Sequence, residues 1–158
     1  MNRILLEQML KKMKKNLQEG NSIGDLKIGA LYALGNQLEA IFYFLGHECG
    51  SFLDEQGFSK SEIIEGLKAL SDKYHLGEFI LLEHNPDHIT FGLKQCNSCS
   101  EIDVPEVKIP QGFCSFEAGL YAGIVEKITG KHCFAQELEC RLQGKGEMCT
   151  FMIVIPND

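Results

Sequence analysis

Glu137-Leu-Glu-Cys140-Arg-Leu-Gln-Gly144-Lys-Gly-Glu-Met-Cys149-Thr-Phe-Met-Ile-Val-Ile155 holds two runs of strand-forming residues on either side of Gly144-Lys145. A Gly-X pair between such runs is a hairpin signal. Residues 131–142 and 148–155 are therefore expected to be the last two strands, paired antiparallel. The second run is apolar on both faces, which places it in the middle of a sheet. With Gly144 and Lys145 as the turn, Gln143 pairs with Gly146, and counting outward sets Cys140 opposite Cys149. Opposed residues carry Cβ atoms about 4.5–5.5 Å apart on one face. That suits two thiolates on one metal ion and is slightly wide for a disulfide, whose Cβ atoms lie about 3.8 Å apart. Glu137 on the same strand and Cys114 at the start of the preceding helix are further candidates, in the spacing Cys-x22-Glu-x2-Cys-x8-Cys. Glu137 and Cys140 are three apart, so a flat strand turns them to opposite faces. Both reach one ion only if a bulge or strong twist turns one of them round.

Outward from this hairpin, long helical patterns alternate with short extended ones. Over residues 28–53 apolar side chains recur at helical spacing, with Leu38, Ile41, Phe42, Leu45, Cys49, Phe52 and Leu53 on one face. Gly46 and Gly50, four apart, mark a place for another backbone to come close. Ser59 with Glu62 three residues on is a capping box, opening a helix that runs through Tyr74 and is closed by Gly77. The period then falls to two. Residues 78–83 read as a strand, Asn85-Pro86-Asp87 as its turn, and 88–95 as the return strand, with Ile89, Phe91 and Leu93 on the buried face. Residues 96–112 form an irregular loop with Pro105 and Pro110. A third long helix spans about 115–129, with Gly130 as its C′ residue. Within it Gly119 and Gly123 either admit a neighbouring helix or leave room for a ligand. The expected class is α+β, an antiparallel sheet of about four strands packed against several long helices.

Composition narrows the function. The chain has 158 residues, a net charge of −7 and a 44% hydrophobic content. The acidic balance argues against direct nucleic-acid binding. No apolar run reaches membrane-spanning length and no secretory signal is visible, so membrane contact is not expected and a reducing cytoplasm is. The charge is uneven. Residues 1–20 hold Arg3, Lys11, Lys12, Lys14 and Lys15 against Glu7 and Glu19, in an amphipathic helix with a stripe of Leu6, Met9, Leu10, Met13 and Leu17. That helix is expected to pack on the body or on a second subunit of a homodimer, with residues 21–158 as the domain proper.

Gly112-Phe-Cys114-Ser-Phe-Glu-Ala-Gly119, together with Glu137-Leu-Glu-Cys140-Arg-Leu-Gln-Gly144 and Cys149-Thr-Phe151, resembles the 4-vinyl reductase domain family. The likeness is specific over 112–155, weaker over 28–53, and leaves residues 1–20 outside. It implies a fold shared with nitric-oxide-sensing haem domains and vesicle-tethering subunits, and kinship with the sensor domains of aromatic-responsive transcription activators. It also implies a structural zinc ion held by Cys114, Glu137, Cys140 and Cys149. The family has seven residues between its last two cysteines where this chain has eight. Four protein ligands complete zinc's tetrahedron and leave no position for a reacting water. The resemblance further implies a pocket for an apolar or aromatic small molecule between helices and sheet. Phe42, Leu45, Phe52, Phe113, Phe116, Leu120 and Tyr121 are its candidate lining. By spacing alone Cys140 and Cys149 read sooner as small buried hydrophobes, and it is the resemblance that favours a metal.

The other cysteines are less decided. Cys96-Asn-Ser-Cys99 is an isolated CxxC that leaves a strand for a loop, with Glu101 and Asp103 close by. It fits a redox pair, a metal site shared with Cys114 or Cys49, or an ordinary loop. Cys49 and Cys133 read as core. His47 is expected at a helix surface, and His132 as a packing or surface residue. No nucleotide-cofactor fingerprint is present. A small-molecule-binding, sensory or regulatory domain with a structural metal is the leading expectation, and enzyme action is not favoured. A reductase or accessory enzyme of tetrapyrrole metabolism and a scaffold or tethering protein are the alternatives.

Overall fold

A computed structural model describes residues 37–53, 58–102, 113–144 and 146–157, together with 11, 14, 15 and 17–20. Helix α1 spans Leu38–Phe52 and α2 spans Ile63–Lys73, the latter preceded by a 3-10 turn over Lys60–Glu62. The capping box expected there is present: the Ser59 N–H and hydroxyl both donate to Glu62 Oε2, at 3.2 and 2.7 Å. Ile63, Ile64, Leu67 and Leu70 of α2 are buried at the spacing that turns one helix face inward. The helix is followed by His75 and Gly77 at positive φ, 52° and 127°. Strand β1 (Glu78–Asn85) and strand β2 (His88–Lys94) then form a hairpin turning at Pro86-Asp87.

Helix α3 spans Ser115–Thr129 and ends on Gly130 at φ 70°, the left-handed C-terminus that glycine takes without strain. Every residue of α3 from Ser115 to Val125 is buried. It lies in the middle layer, with α1 on one side and the sheet on the other. Strands β3 (Phe134–Glu139) and β4 (Met148–Val154) complete an antiparallel sheet of order β1-β2-β4-β3. β4 is central, as its apolar run requires. Only Cys149, Phe151 and Ile153 of it face the core, while Met148, Thr150 and Met152 are half-buried on the far face. On the core face Phe91 sits between Phe79, Phe151 and Tyr121, with ring centroids 4.8, 5.3 and 4.6 Å away.

The glycines of α1 and α3 decide how these helices meet. A Cβ on Gly119 would stand 2.0 Å from the Tyr43 carbonyl oxygen, and one on Gly123 would stand 2.2 Å from that of His47. In return, Gly46 and Gly50 receive the carbonyls of Phe116 and Leu120 at 2.0 and 2.1 Å. The two backbones are in contact along two turns. Gly119 and Gly123 therefore admit a helix and hold no space for a ligand. Of the amphipathic stripe in residues 1–20 only Leu17 is described; it is fully buried, and Lys14 Nζ lies 5.9 Å from the centre of the Phe52 ring.

The last hairpin departs from expectation at its turn. Strand β3 stops at Glu139, and the chain is reversed by a 3-10 turn over Arg141–Gln143 with Gly144 at φ 76°. The Gly144-Lys145 pair is thus not a two-residue turn between strands running to 142. Local hydrogen bonds explain the choice: Cys140 N–H donates to Gln143 Oε1 at 3.0 Å, and Gln143 N–H returns to the Cys140 carbonyl at 2.9 Å. Lys145 lies outside the described residues.

Candidate metal centre

The β3–β4 register shifts between Glu137, opposite Phe151, and Glu139, opposite Thr150. Leu138 is the extra residue of a bulge. Leu138 and Glu139 both turn away from the core, so Glu137 and Cys140 both turn inward, at 4% and 1% exposure. This is the device that lets residues three apart share one side of a strand. Cys149 follows Met148 on β4, opposite Leu93 of β2, and points into the same space. Cys114 caps the N-terminus of α3, and its backbone N–H donates to Glu137 Oε2 at 3.0 Å.

These elements draw three sulfurs into a triangle. The Sγ separations are 3.7 Å for Cys114–Cys140, 3.7 Å for Cys114–Cys149 and 3.8 Å for Cys149–Cys140. A zinc–sulfur bond of about 2.3 Å in a tetrahedron sets sulfurs about 3.8 Å apart. Glu137 closes the set, with one ligand atom from each of Cys114, Glu137, Cys140 and Cys149 within 4.8 Å of one another. The donor types and the triangle's edges both fit zinc.

Cys96 and Cys99 join the same cluster. After Lys94 the chain takes a positive φ of 52° at Gln95, then folds back on itself. The N–H groups of Cys99 and Ser100 both donate to the Cys96 carbonyl, at 3.0 and 2.8 Å. Asn97 N–H anchors the turn to the Leu76 carbonyl at 3.1 Å, and the Ser98 hydroxyl donates to the buried Glu117 carboxylate. Arg141 holds the other side: its Nη2 donates to the carbonyls of Cys99, Ser100 and Ile102, at 3.4 and 2.6 Å for the last two. Cys96 Sγ then lies 3.7 Å from Cys114 Sγ, and Cys99 Sγ lies 3.3 Å from Cys149 Sγ. Cys96, Cys99, Cys114 and Cys149 form a second group with ligand atoms within 4.8 Å of one another, a buried cluster of four cysteines that could hold a metal. Cys49 and Cys133 are buried elsewhere, as core.

The surroundings present positive partial charge to the sulfurs. The first amides of α3 place the positive end of a helix beside Cys114, and Arg141 N–H donates to Cys149 Sγ at 3.4 Å. Arg141 thus serves the sulfurs through its backbone and the CxxC turn through its side chain. Burial pushes the Cys114 thiol well above its ordinary range, since a thiolate there has no water to solvate it.

The residues expected to line a pocket are placed differently from one another. Phe42, Phe113, Phe116, Leu120 and Tyr121 are buried in the core, while Leu45 and Phe52 are half-buried against it. Tyr121 spends its hydroxyl on Ser71 Oγ at 2.6 Å. A cleft of about 360 Å³ opens between α1, the start of α3 and β3, lined by residues that include Tyr43, Ala118, Phe134 and Glu137. None of the seven residues lines it. Tyr43 and Phe134 stack at a tilt with centroids 5.4 Å apart, and Ala135 N–H donates to the Tyr43 hydroxyl at 2.9 Å.

His47 corrects another expectation. Its imidazole is 15% exposed and lies 3.2 Å from Glu126 Oε2 of α3, which His132 also reaches at 2.9 Å. His132 and Cys133 precede β3 instead of lying on it. The sequence carried no signal for this group, because the close α1–α3 approach at Gly123 is what brings it together.

No family model matches the chain. The chain is 30% identical to "Uncharacterized protein MJ0150" of Methanocaldococcus jannaschii, over 94% of this chain and 92% of that protein. Among solved structures it is similar to a vinyl-4-reductase family protein from Methanocaldococcus jannaschii, at TM-score 0.58 and 24% identity over 96% of this chain and 94% of the other. The phenol-responsive sensory domain of the transcription activator PoxR aligns at TM-score 0.63 and 17% identity, over 84% of this chain and 72% of the other. A trafficking protein particle complex subunit 3 from Naegleria fowleri, covalently bound to palmitic acid, aligns at TM-score 0.63 and 12% identity over 99% and 98%. By sequence the chain belongs to the family of the MJ0150 protein, and its fold is similar to that of the vinyl-4-reductase family protein.

Proposed function

We propose that the chain is a small-molecule-binding, sensor-like domain braced by a structural zinc site, acting in the reducing cytoplasm. The observation that carries the metal is the sulfur triangle of Cys114, Cys140 and Cys149, whose edges of 3.7, 3.7 and 3.8 Å match those of a zinc–thiolate tetrahedron. When bound, zinc would tie the start of α3 to the β3–β4 hairpin. Glu137, Cys140 and Cys149 would hold it from the sheet and Cys114 from the helix. The solved neighbours include a domain named for its response to phenol and a subunit carrying palmitic acid, which supports an apolar occupant for this fold.

In this chain the cleft beside Tyr43 and Phe134 is the site we assign to that ligand. Its volume falls in the usual range for small-molecule pockets, about 300–1,000 Å³, and it joins aromatic walls to a few polar groups. The cleft shares Glu137 with the proposed four-ligand site, so occupancy of one bears on the other. Residues 1–20 are proposed as an amphipathic helix that packs on the body or makes the contact between copies of a homodimer.

The test has two parts. Anaerobically purified protein is expected to contain at least one equivalent of zinc by elemental analysis, and content well below one overturns the metal site. Thermal-shift titration with phenol and larger monocyclic aromatics is expected to raise the unfolding temperature, and Tyr43→Ala to abolish that rise. No shift with any of them overturns the aromatic-binding role.

A further inference from the structure

Cys114 and Cys149 belong to both four-ligand groups. One group adds Cys96 and Cys99 to them; the other adds Cys140 and Glu137. Two tetrahedra that share an edge take six ligands in all. Six are gathered here: five cysteines and one glutamate, each no more than 4% exposed. We propose that the cluster is a binuclear centre. One divalent cation is held by Cys96, Cys99, Cys114 and Cys149, and a second by Cys114, Cys149, Cys140 and Glu137, with the Cys114 and Cys149 thiolates bridging. This rests on the proposal above that the cluster binds metal, and extends it from one ion to two.

Distances support the shared edge. Cys114 and Cys149 are 3.7 Å apart, the edge length of a zinc–thiolate tetrahedron, and each keeps a further close sulfur on either side. Cys114 has Cys96 at 3.7 Å on one side and Cys140 at 3.7 Å on the other. Cys149 has Cys99 at 3.3 Å and Cys140 at 3.8 Å. A single ion in either group would leave the remaining thiols packed against bound thiolates and excluded from the metal.

Charge is compatible with two ions. Fully ionised, the six ligands carry six negative charges, and two dications leave two of them; beside a single dication the buried thiols outside its shell would stay protonated. Burying unpaired charge is costly, and the α3 N-terminus with the Arg141 N–H to Cys149 are suited to that remainder. Construction of the two halves is also separate. Arg141 and Glu117 hold the Cys96–Cys99 turn, while the Leu138 bulge aims Glu137 and Cys140.

The experiment counts ions on the full chain. Metal-free protein, prepared anaerobically, is titrated with cobalt(II) and with zinc(II), and followed by native mass spectrometry, thiolate-to-cobalt absorbance and electron paramagnetic resonance. The expected result is saturation at about two ions, with the paramagnetic signal per cobalt falling as the second ion enters, because bridging thiolates couple the spins. The Cys96→Ser, Cys99→Ser double variant and the Glu137→Gln, Cys140→Ser double variant are each expected to hold one ion, with the signal per cobalt undiminished. Saturation of the wild type at one ion overturns the binuclear centre and leaves the metal-site proposal standing. Two ions without magnetic coupling overturn the bridging assignment. No bound ion overturns the metal-site proposal itself. The wild-type count and coupling need no variant to fold.

Discussion

The backbone N–H of Cys114 donates to Glu137 Oε2 across 3.0 Å, joining the first residue before α3 to the middle of β3. The carboxylate satisfies a buried amide and places negative charge at the positive end of a helix. Glu137→Gln keeps an acceptor oxygen for that amide and removes the charge. The variant is expected to stay folded and to bind zinc more weakly, as measured by competition with a chromophoric chelator. Glu137→Ala removes the acceptor as well and is expected to cost a further 1–3 kcal/mol or so. Unchanged zinc affinity in Glu137→Gln would take this residue out of the ligand set.

The Arg141 side chain would act on the proposed metal centre indirectly. Its guanidinium collects the carbonyls of Cys99, Ser100 and Ile102, and so sets where the CxxC turn stands relative to α3. Arg141→Ala is expected to lower metal affinity by about 10–100-fold, the usual cost of losing a partner that orients ligands. Circular dichroism of the metal-loaded protein should be unchanged. A variant that binds as tightly as the wild type would show that the turn orders itself without the clamp.

Gly119 meets the Tyr43 carbonyl where no Cβ fits. Gly119→Ala must push α1 off α3, with an expected cost of about 1–3 kcal/mol or more. At about 2–4 °C per kcal/mol for a chain of this size, the unfolding midpoint should fall by several degrees. Gly146→Ala is the control, because a Cβ there meets nothing within 4 Å. Equal melting temperatures for the two variants would contradict the helix contact described above.

Cys49 gives a pH prediction outside the cluster. Burial pushes its thiol up to about 12, with Lys14 opposing weakly. A folded-state value raised above the unfolded one contributes stability that is complete below the ordinary thiol pKa, about 8.5. That stability is lost as pH rises toward the folded value. Wild-type protein is therefore expected to lose stability between about pH 9 and 12 more steeply than Cys49→Ala, in urea titrations at fixed pH. Parallel slopes would mean that Cys49 ionises as easily folded as unfolded.

Local patterns carried much of the fold. The capping box of Ser59 and Glu62, the alternation of Ile89, Phe91 and Leu93, and Gly130 after α3 each act within a few residues, so their geometry follows from their spacing. The neighbourhood of Cys140 and Cys149 was legible for the same reason: hairpin partners are tied by a short connection. The turn itself was misread, because Gln143 bonding back to Cys140 outweighs the preference of a Gly-X pair.

By itself, then, the sequence determined an α+β chain, a central last strand, and Cys140 and Cys149 as neighbours, since all three rest on periodicity and short-range pairing. Only the tertiary structure decided that α1 and α3 touch through glycines instead of enclosing a ligand. It also decided that Leu138 bulges to bring Glu137 round, and that Cys96 and Cys99 stand against Cys114 and Cys149. The physical reason is separation along the chain. Cys96 and Cys114 are 18 residues apart, and Cys99 and Cys149 are 50 apart. Contacts over such intervals are set by how α3 packs between α1 and the sheet, and by Arg141 holding the loop, which no local pattern encodes.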